Sequence, residues 1–181
     1  SATVPQVALL LSSESFWDRS EAVFAPWGDV FQELEGTLHA LLNLHYSVDI
    51  LAEHQLQPRL KDFPLVVIPD AHKLTASFRE AVTGYVEDGG NLLLLGERCA
   101  RLFEPLLGVE LEGPPEQQSV ELGPAGGPRN EAPVTNANGL WQKVSLKTAR
   151  AAGFAYPTRD TRRDGGAARR RSRVHVACRT R

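Results

Sequence analysis

Two apolar runs of strand length, separated by a helical pattern, limit this chain to a small set of folds. The first run covers residues 65–70 and the second covers residues 91–96. Neither run alternates apolar and polar positions, and such runs are typical of parallel strands that helices cover on both faces. The pattern therefore predicts a strand, a crossover helix and a second parallel strand.

Two further strands are predicted before this unit. The predicted strand at residues 7–12 is apolar up to its last residue, Ser12, and residues 47–51 contain Asp49, which indicates an edge position. Between them Asp29 can cap a helix with apolar positions at spacings of three and four, and a connector covers residues 54–63. The four strands predict a flavodoxin-like, doubly wound α/β fold with a mainly parallel sheet in the order 2-1-3-4.

The crossover helix has signals at both of its ends. Thr75 or Ser77 caps its start, and residues 77–80 fit a capping box. Gly89 supplies the left-handed position that ends it. A short helix over residues 100–107 is expected after the fourth strand.

The composition changes after Gly108, and we divide the chain into three parts there. Residues 1–108 form an α/β domain, 109–160 a loop-rich extension with short strands, and 161–181 an Arg-rich tail that we predict to be disordered. In the extension, the Gly/Pro-rich residues 113–115 and 123–128 indicate loops, and short strands are predicted at 109–111, 119–122 and 143–146.

The net charge of −2 conceals an acidic body and a basic tail. From Lys147 onward there are eleven Lys and Arg against two Asp, so the tail carries about +9 and the preceding residues about −11. An acidic body repels phosphate and the tail lacks interleaved aromatic residues, so we expect no nucleic-acid partner. A solvated tail or a non-native sequence is the preferred interpretation.

Other bounds come from what the sequence lacks. No run reaches the ~18 apolar residues of a membrane span, so we expect no membrane partner. The chain contains no Met, which indicates that Ser1 is not a native start and that the chain is a processed product, an excised domain or a fragment. The sequence does not indicate a cellular compartment.

The predicted switch point lies between the first and third strands, where ligands collect in doubly wound folds. The candidate ligand residues at that edge are Glu14, Asp70, His72 and Glu97. A structural role for Asp70 in turning the loop is the stronger interpretation. Paired carboxylates for glycoside hydrolysis could be drawn from the same set, but nothing else in the sequence supports that chemistry.

Cys99 is a weak candidate nucleophile. Amidotransferase-like folds place a catalytic Cys on a tight turn written G-x-C-x-G, whereas residues 96–101 put Cys99 one position late and lack the second glycine. We prefer a bystander thiol, although Arg98, Arg101 and a helix start could lower the pKa of the thiol.

We expect neither a metal nor a cofactor. None of the five histidines pairs with another His or Cys at a metal-ligand spacing. Residues 12–15 follow the first strand without the glycines that a phosphate loop requires. Trp17 and Trp27 lie in an aromatic connection and are candidates for packing on a partner.

The α/β part resembles the β-galactosidase trimerisation domain, within the class I glutamine amidotransferase-like superfamily. The resemblance rests on the apolar run at residues 7–11 leading into Phe16-Trp17, on residues 46–51, on residues 62–70, and above all on Tyr85-Val86-Glu87-Asp88-Gly89-Gly90-Asn91-Leu92.

This resemblance implies a non-catalytic accessory domain beside the catalytic barrel of a glycoside hydrolase, with a homo-oligomer as the expected state. The family's catalytic carboxylates lie on the barrel, so no catalytic position carries over. Two alternatives stay open at this point. One is an amidotransferase-like hydrolase using Cys99, with His72 or a tail residue as base, and the other is a module that binds a small molecule such as a sugar.

Overall fold

The computed structural model describes residues 4–19, 31–124, 135–157 and 173–175. Their contacts divide the chain into two compact units, Ser1–Leu106 and Leu107–Cys178. The first unit is built on a parallel sheet and the second on an antiparallel sheet.

Strands and helices alternate through the first part of the chain. In order they are β1 (Val7–Leu11), α1 (Ser13–Arg19), α2 (Gln32–Asn43), β2 (Val48–Ala52), α3 (Glu53–Leu56), a 3-10 helix (Gln57–Asp62), β3 (Leu65–Pro69), α4 (Ala76–Glu87), β4 (Asn91–Leu95), α5 (Glu97–Leu102) and α6 (Glu104–Leu107).

The parallel sheet has the strand order β2-β1-β3-β4, which confirms the predicted fold class and order. Leu9 in β1 lies opposite Ile50 in β2 and Val67 in β3. Since β2 lies at the edge of this order, the interpretation of Asp49 as an edge residue is also confirmed.

Helices bury both faces of this sheet. On one face Leu10 and Ile68 pack with Phe78 of α4. On the other face Leu9 and Val67 pack with Leu41 of α2. Burial of each such side chain contributes roughly 1.5–3 kcal/mol. Both faces being covered explains why the strands are apolar at every position.

Tyr85 and the two glycines after α4 form one packing unit. The Tyr85 hydroxyl donates to the Phe63 carbonyl at 3.0 Å and accepts the Asn91 amide at 3.2 Å, joining the starts of β3 and β4. A Cβ at Gly90 would overlap the Tyr85 ring, and Gly89 has φ +95°. The Tyr and both glycines are therefore required by the geometry of this turn.

The ends of several helices differ from the predictions. Thr75 caps α4 by accepting the Phe78 amide at 3.3 Å, so the capping box on Ser77 is wrong. A helix, α1, occupies the first part of the region predicted as an aromatic connection, and residues 20–30 lie outside the described residues. The helix predicted over 100–107 is two short helices, α5 and α6. Asp29, the predicted cap of α2, lies outside the described residues.

The second unit is an antiparallel sheet in the order β6-β5-β7-β8. The three predicted short strands lie within its two long strands. The final strand falls within the Arg-rich tail, and the rest of that tail, for which we predicted disorder, lies outside the described residues. The strands are β5 (Val109–Pro124), β6 (Thr135–Leu146), β7 (Gly153–Pro157) and β8 (Arg173–His175).

The loop predicted at residues 113–115 is wrong, because these residues lie inside β5. The pairing register with β6 shifts between Glu112 and Glu116, which marks a bulge. Two prolines at the bulge have no N–H to give a ladder. The side-chain amide of the buried Gln142 donates to the carbonyls of Glu112 at 3.0 Å and Gly113 at 3.1 Å. A side chain therefore supplies the hydrogen bonds that these two carbonyls of the bulge accept.

Candidate functional site

The carboxyl edge of the parallel sheet, where β1, β3 and β4 end, contains the predicted site residues. A shallow cavity with an accessible volume of about 20 Å³, partly open to solvent, lies at the carboxyl ends of β1 and β3. Its lining includes Ser12 and Ser15 beside β1, Ala71 after β3, and Phe31 and Glu33 at the start of α2. The cavity therefore occupies the predicted switch point.

Ser15 ties α1 to the loop after β3. Its hydroxyl donates to the Lys73 carbonyl at 2.8 Å and accepts the amides of His72 at 3.1 Å and Lys73 at 3.0 Å. The side chain is almost fully buried. A hydroxyl that makes three internal hydrogen bonds has little capacity left for a ligand.

Glu53 is a buried carboxylate that the sequence analysis did not single out. It directly follows β2, is 7% exposed, and accepts hydrogen bonds from Ser12 Oγ at 3.1 Å and Thr75 Oγ1 at 3.3 Å. The Thr75 amide also donates to it, at 3.4 Å. The signal that could have revealed it is an acidic residue immediately after a strand, at the same edge as Asp70.

His72 pairs with Asp18, a residue that the sequence analysis also passed over. His72 Nε2 lies 2.8 Å from Asp18 Oδ2, and Lys73 Nζ lies 3.2 Å from Asp18 Oδ1. The hydrogen bond from His72, followed by that from Lys73, lowers the pKa of Asp18 from its ordinary value. The carboxylate is therefore ionised at neutral pH.

Asp70 packs against Gly96 at the ends of β3 and β4. Asp70 has φ +33°, and its amide donates to the Leu95 carbonyl at 2.7 Å. Gly96 has φ +90°, and a Cβ there would overlap the Asp70 carboxylate. Arg98 Nη1 lies 3.6 Å from Asp70 Oδ2. The geometry supports the loop-structuring role for Asp70.

Cys99 lies within α5, with a side chain that is 0% exposed and packs in the apolar core. The Ala71 amide donates to its sulfur at 2.9 Å, and the thiol is within reach of the carbonyls of Ala71 at 3.4 Å and Ile68 at 3.5 Å. A nucleophilic thiol needs access to its substrate and an activating environment. This thiol faces backbone groups and apolar side chains instead.

The remaining carboxylate candidates have separate surroundings. Glu97 accepts a hydrogen bond from Arg101 Nε at 2.8 Å on the same helix. Glu14 is exposed in the first turn of α1. The structure thus pairs His72 with Asp18 and Asp70 with Arg98. Glu97 is paired with Arg101.

Trp17 is 68% exposed on α1. Its ring meets the Phe16 ring edge-on at a centroid distance of 5.1 Å, and Phe16 stacks on Phe31 at 5.1 Å. Trp27, the other candidate for partner packing, lies outside the described residues.

The described residues hold neither a metal-binding cluster nor a membrane-spanning helix. They contain no group of three or more His, Cys, Asp or Glu side chains that could hold a metal ion. Over the same part of the chain, no helix has the length and apolar character needed to cross a membrane.

Comparison with known families gives one match. The model of the β-galactosidase trimerisation domain matches residues 5–100, which is more than half of the chain. No curated protein matches the chain.

Solved structures with this fold include several β-galactosidases. The cold-adapted enzyme from Rahnella sp. R3 is 18% identical with a TM-score of 0.65, and the match covers 83% of this chain and 25% of that one. The enzyme from the Antarctic haloarchaeon Halorubrum lacusprofundi is 16% identical with a TM-score of 0.65, covering 86% and 24%. This chain therefore spans about a quarter of their length.

A third structure is of similar size to this chain. A ThuA-like protein from Bacteroides uniformis ATCC 8492 is 16% identical with a TM-score of 0.55, and the match covers 96% of this chain and 78% of that one. At these identities the likeness concerns the fold.

Proposed function

The chain belongs to the β-galactosidase trimerisation domain family, and on that premise we propose that it is an assembly domain of a glycoside hydrolase with no chemistry of its own. It works beside the catalytic barrel of the same or the parent protein and associates with further copies of itself. The substrate is chosen by the barrel, whose carboxylates carry out the hydrolysis.

The observation that carries this proposal is the internal use of reactive groups at the carboxyl edge. The Ser15 hydroxyl donates a hydrogen bond to the loop after β3, and the Cys99 sulfur accepts one from the Ala71 amide. The Glu53 carboxylate accepts from Ser12 and Thr75. These side chains stabilise the loops through internal hydrogen bonds. A catalytic side chain would instead have to be within hydrogen-bond reach of a substrate.

An activity assay of the chain tests the absence of chemistry. We expect no hydrolysis of a chromogenic galactoside and no release of ammonia from glutamine. The matched control is Cys99→Ala, which should give the same background rate. Glutamine hydrolysis that Cys99→Ala abolishes would establish the amidotransferase-like alternative instead.

The cavity beside Ser12 is the observation that favours sugar binding as the second candidate function. Thermal unfolding in the presence of galactose or lactose separates the two, because a ligand that binds only the folded state raises the melting temperature. The assembly proposal predicts an unchanged melting temperature. A saturable rise would show that the switch point binds a sugar.

A further inference from the structure

Exposed apolar side chains of the first unit concentrate in one region, where α2 ends and β2 begins. Among the described residues of this unit six large apolar side chains are exposed: four lie in the nine residues 42–50, Val4 is 82% exposed just before β1, and Trp17 lies on α1, beyond the other end of β1. The Gln6 and Ser47 backbones bring the two segments together, since the Gln6 amide donates to the Ser47 carbonyl at 3.1 Å. We call this set the β2 edge patch: Val4, Leu42, Leu44, Tyr46 and Ile50.

The β2 edge patch is nearly free of charge. Residues 42–50 contain no Lys, Arg or Glu, and their single carboxylate, on Asp49, lies 3.8 Å from Arg59 Nη2. In contrast, residues 1–106 carry fifteen acidic and seven basic side chains. The buried core of an interface is more apolar than the rest of the surface and is depleted of charged residues.

The charge of the unit points to the occupant. Two copies of a body with a net charge of −8 repel each other wherever their acidic surfaces meet. A contact between copies therefore favours the surface that has little charge, and the β2 edge patch is such a surface. A cationic partner would instead favour the acidic faces.

The contact is made by side chains rather than by joining strands. A charged residue on an edge strand opposes pairing with a second edge, and Asp49 occupies that position on β2. Three-fold assembly also requires a heterologous contact, in which one surface of each copy meets a different surface of the next. An apolar patch beside a strand edge that does not pair can make such a contact through its side chains.

We propose that the β2 edge patch packs against a second copy of this chain. The inference rests on the proposed function, because self-association is what the family's trimerisation describes. It assigns that association to the end of α2 and the start of β2, at the opposite end of β1 and β2 from the carboxyl edge.

Sedimentation velocity of the full chain tests the proposal, with Leu44→Glu in the patch and Leu140→Glu as the matched control. Leu44 is 67% exposed, and Leu140 is 52% exposed in the second unit. The wild type and Leu140→Glu should share one mass above that of the monomer. Leu44→Glu should weaken association by at least about tenfold, since it places a charge in an apolar contact.

The outcomes separate the two proposals. If the wild type sediments as an oligomer and Leu44→Glu is unchanged, the patch assignment is overturned while the assembly function stands. If the wild type is a monomer at every concentration, both are overturned. Circular dichroism confirms that each variant is folded, and Tyr46→Lys takes the place of Leu44→Glu if that variant does not fold.

Discussion

The Ala71 amide donates a hydrogen bond to the Cys99 sulfur at 2.9 Å, joining groups 28 residues apart in the sequence. This contact fixes α5 against the loop that leaves β3. It lies in the apolar core, so the sulfur serves as an internal acceptor in a dry environment. The thiol that is a weak candidate nucleophile by sequence therefore stabilises the turn.

Replacing Cys99 by Ala should therefore lower stability and leave any activity unchanged. The substitution removes a buried sulfur and leaves the Ala71 amide without its acceptor, at a cost of about 1–3 kcal/mol. Urea unfolding followed by circular dichroism measures this loss. An unchanged midpoint would show that the contact contributes nothing to stability.

Gly96→Ala should destabilise the fold strongly. The backbone φ of +90° disfavours a side chain, and the new Cβ would overlap the Asp70 carboxylate, so we expect a loss of about 2–4 kcal/mol. Gly84→Ala is the control, because Gly84 lies in α4 with open space around it and should gain up to about 1 kcal/mol. Equal effects at both positions would contradict the packing described for Asp70.

A double variant divides the Gly96 effect into its two causes. Asp70→Ala removes the overlapping carboxylate, so Gly96→Ala should cost less in that background while the cost of positive φ remains. Full additivity of the two substitutions in thermal unfolding would mean that the side chains do not meet.

Ser15→Ala should cost about 1–3 kcal/mol, because it removes a buried hydroxyl that accepts the amides of His72 and Lys73 and donates to the Lys73 carbonyl. Ser13→Ala on the same helix is the control and should change stability by no more than about 0.5 kcal/mol. Hydrogen exchange should show faster exchange at the two amides in the Ser15 variant alone. Unaltered exchange there would refute the role of this hydroxyl.

The Asp18 carboxylate should make a contribution to stability that depends on pH. Its pKa in the folded chain lies below the ordinary value of 3.8, chiefly because of the bond from His72. A depressed pKa means that the contribution is complete above that ordinary value and is lost as the pH falls through the folded value. The difference in unfolding midpoint between wild type and Asp18→Asn should therefore shrink from about pH 6 to about pH 3. A difference that stays constant would count against the ion pair.

The order of the parallel sheet could be predicted because it depends on local patterns. The runs at Leu65–Pro69 and Asn91–Leu95 have the length and apolar character of buried strands, and topology rules leave few ways to join them. The edge position of Asp49 followed from one charged residue within a strand.

The arrangement at the carboxyl edge could not be predicted in this way. The Ser15 hydroxyl bonds to backbone groups 57 and 58 residues away, and no local pattern specifies such a partner. The sequence indicates candidates at the edge only by residue type, whereas the structure gives Asp70 and His72 different partners, Arg98 and Asp18. The bulge in β5 contains Gly and Pro residues, which are also typical of loops, so its composition predicts a loop.

The mass of the wild-type chain in solution, measured by sedimentation equilibrium over a wide concentration range, tests the central claim most directly. The account predicts association of more than one chain, with three as the expected number from the family to which the chain belongs. A single mass equal to that of the monomer at all concentrations would contradict it.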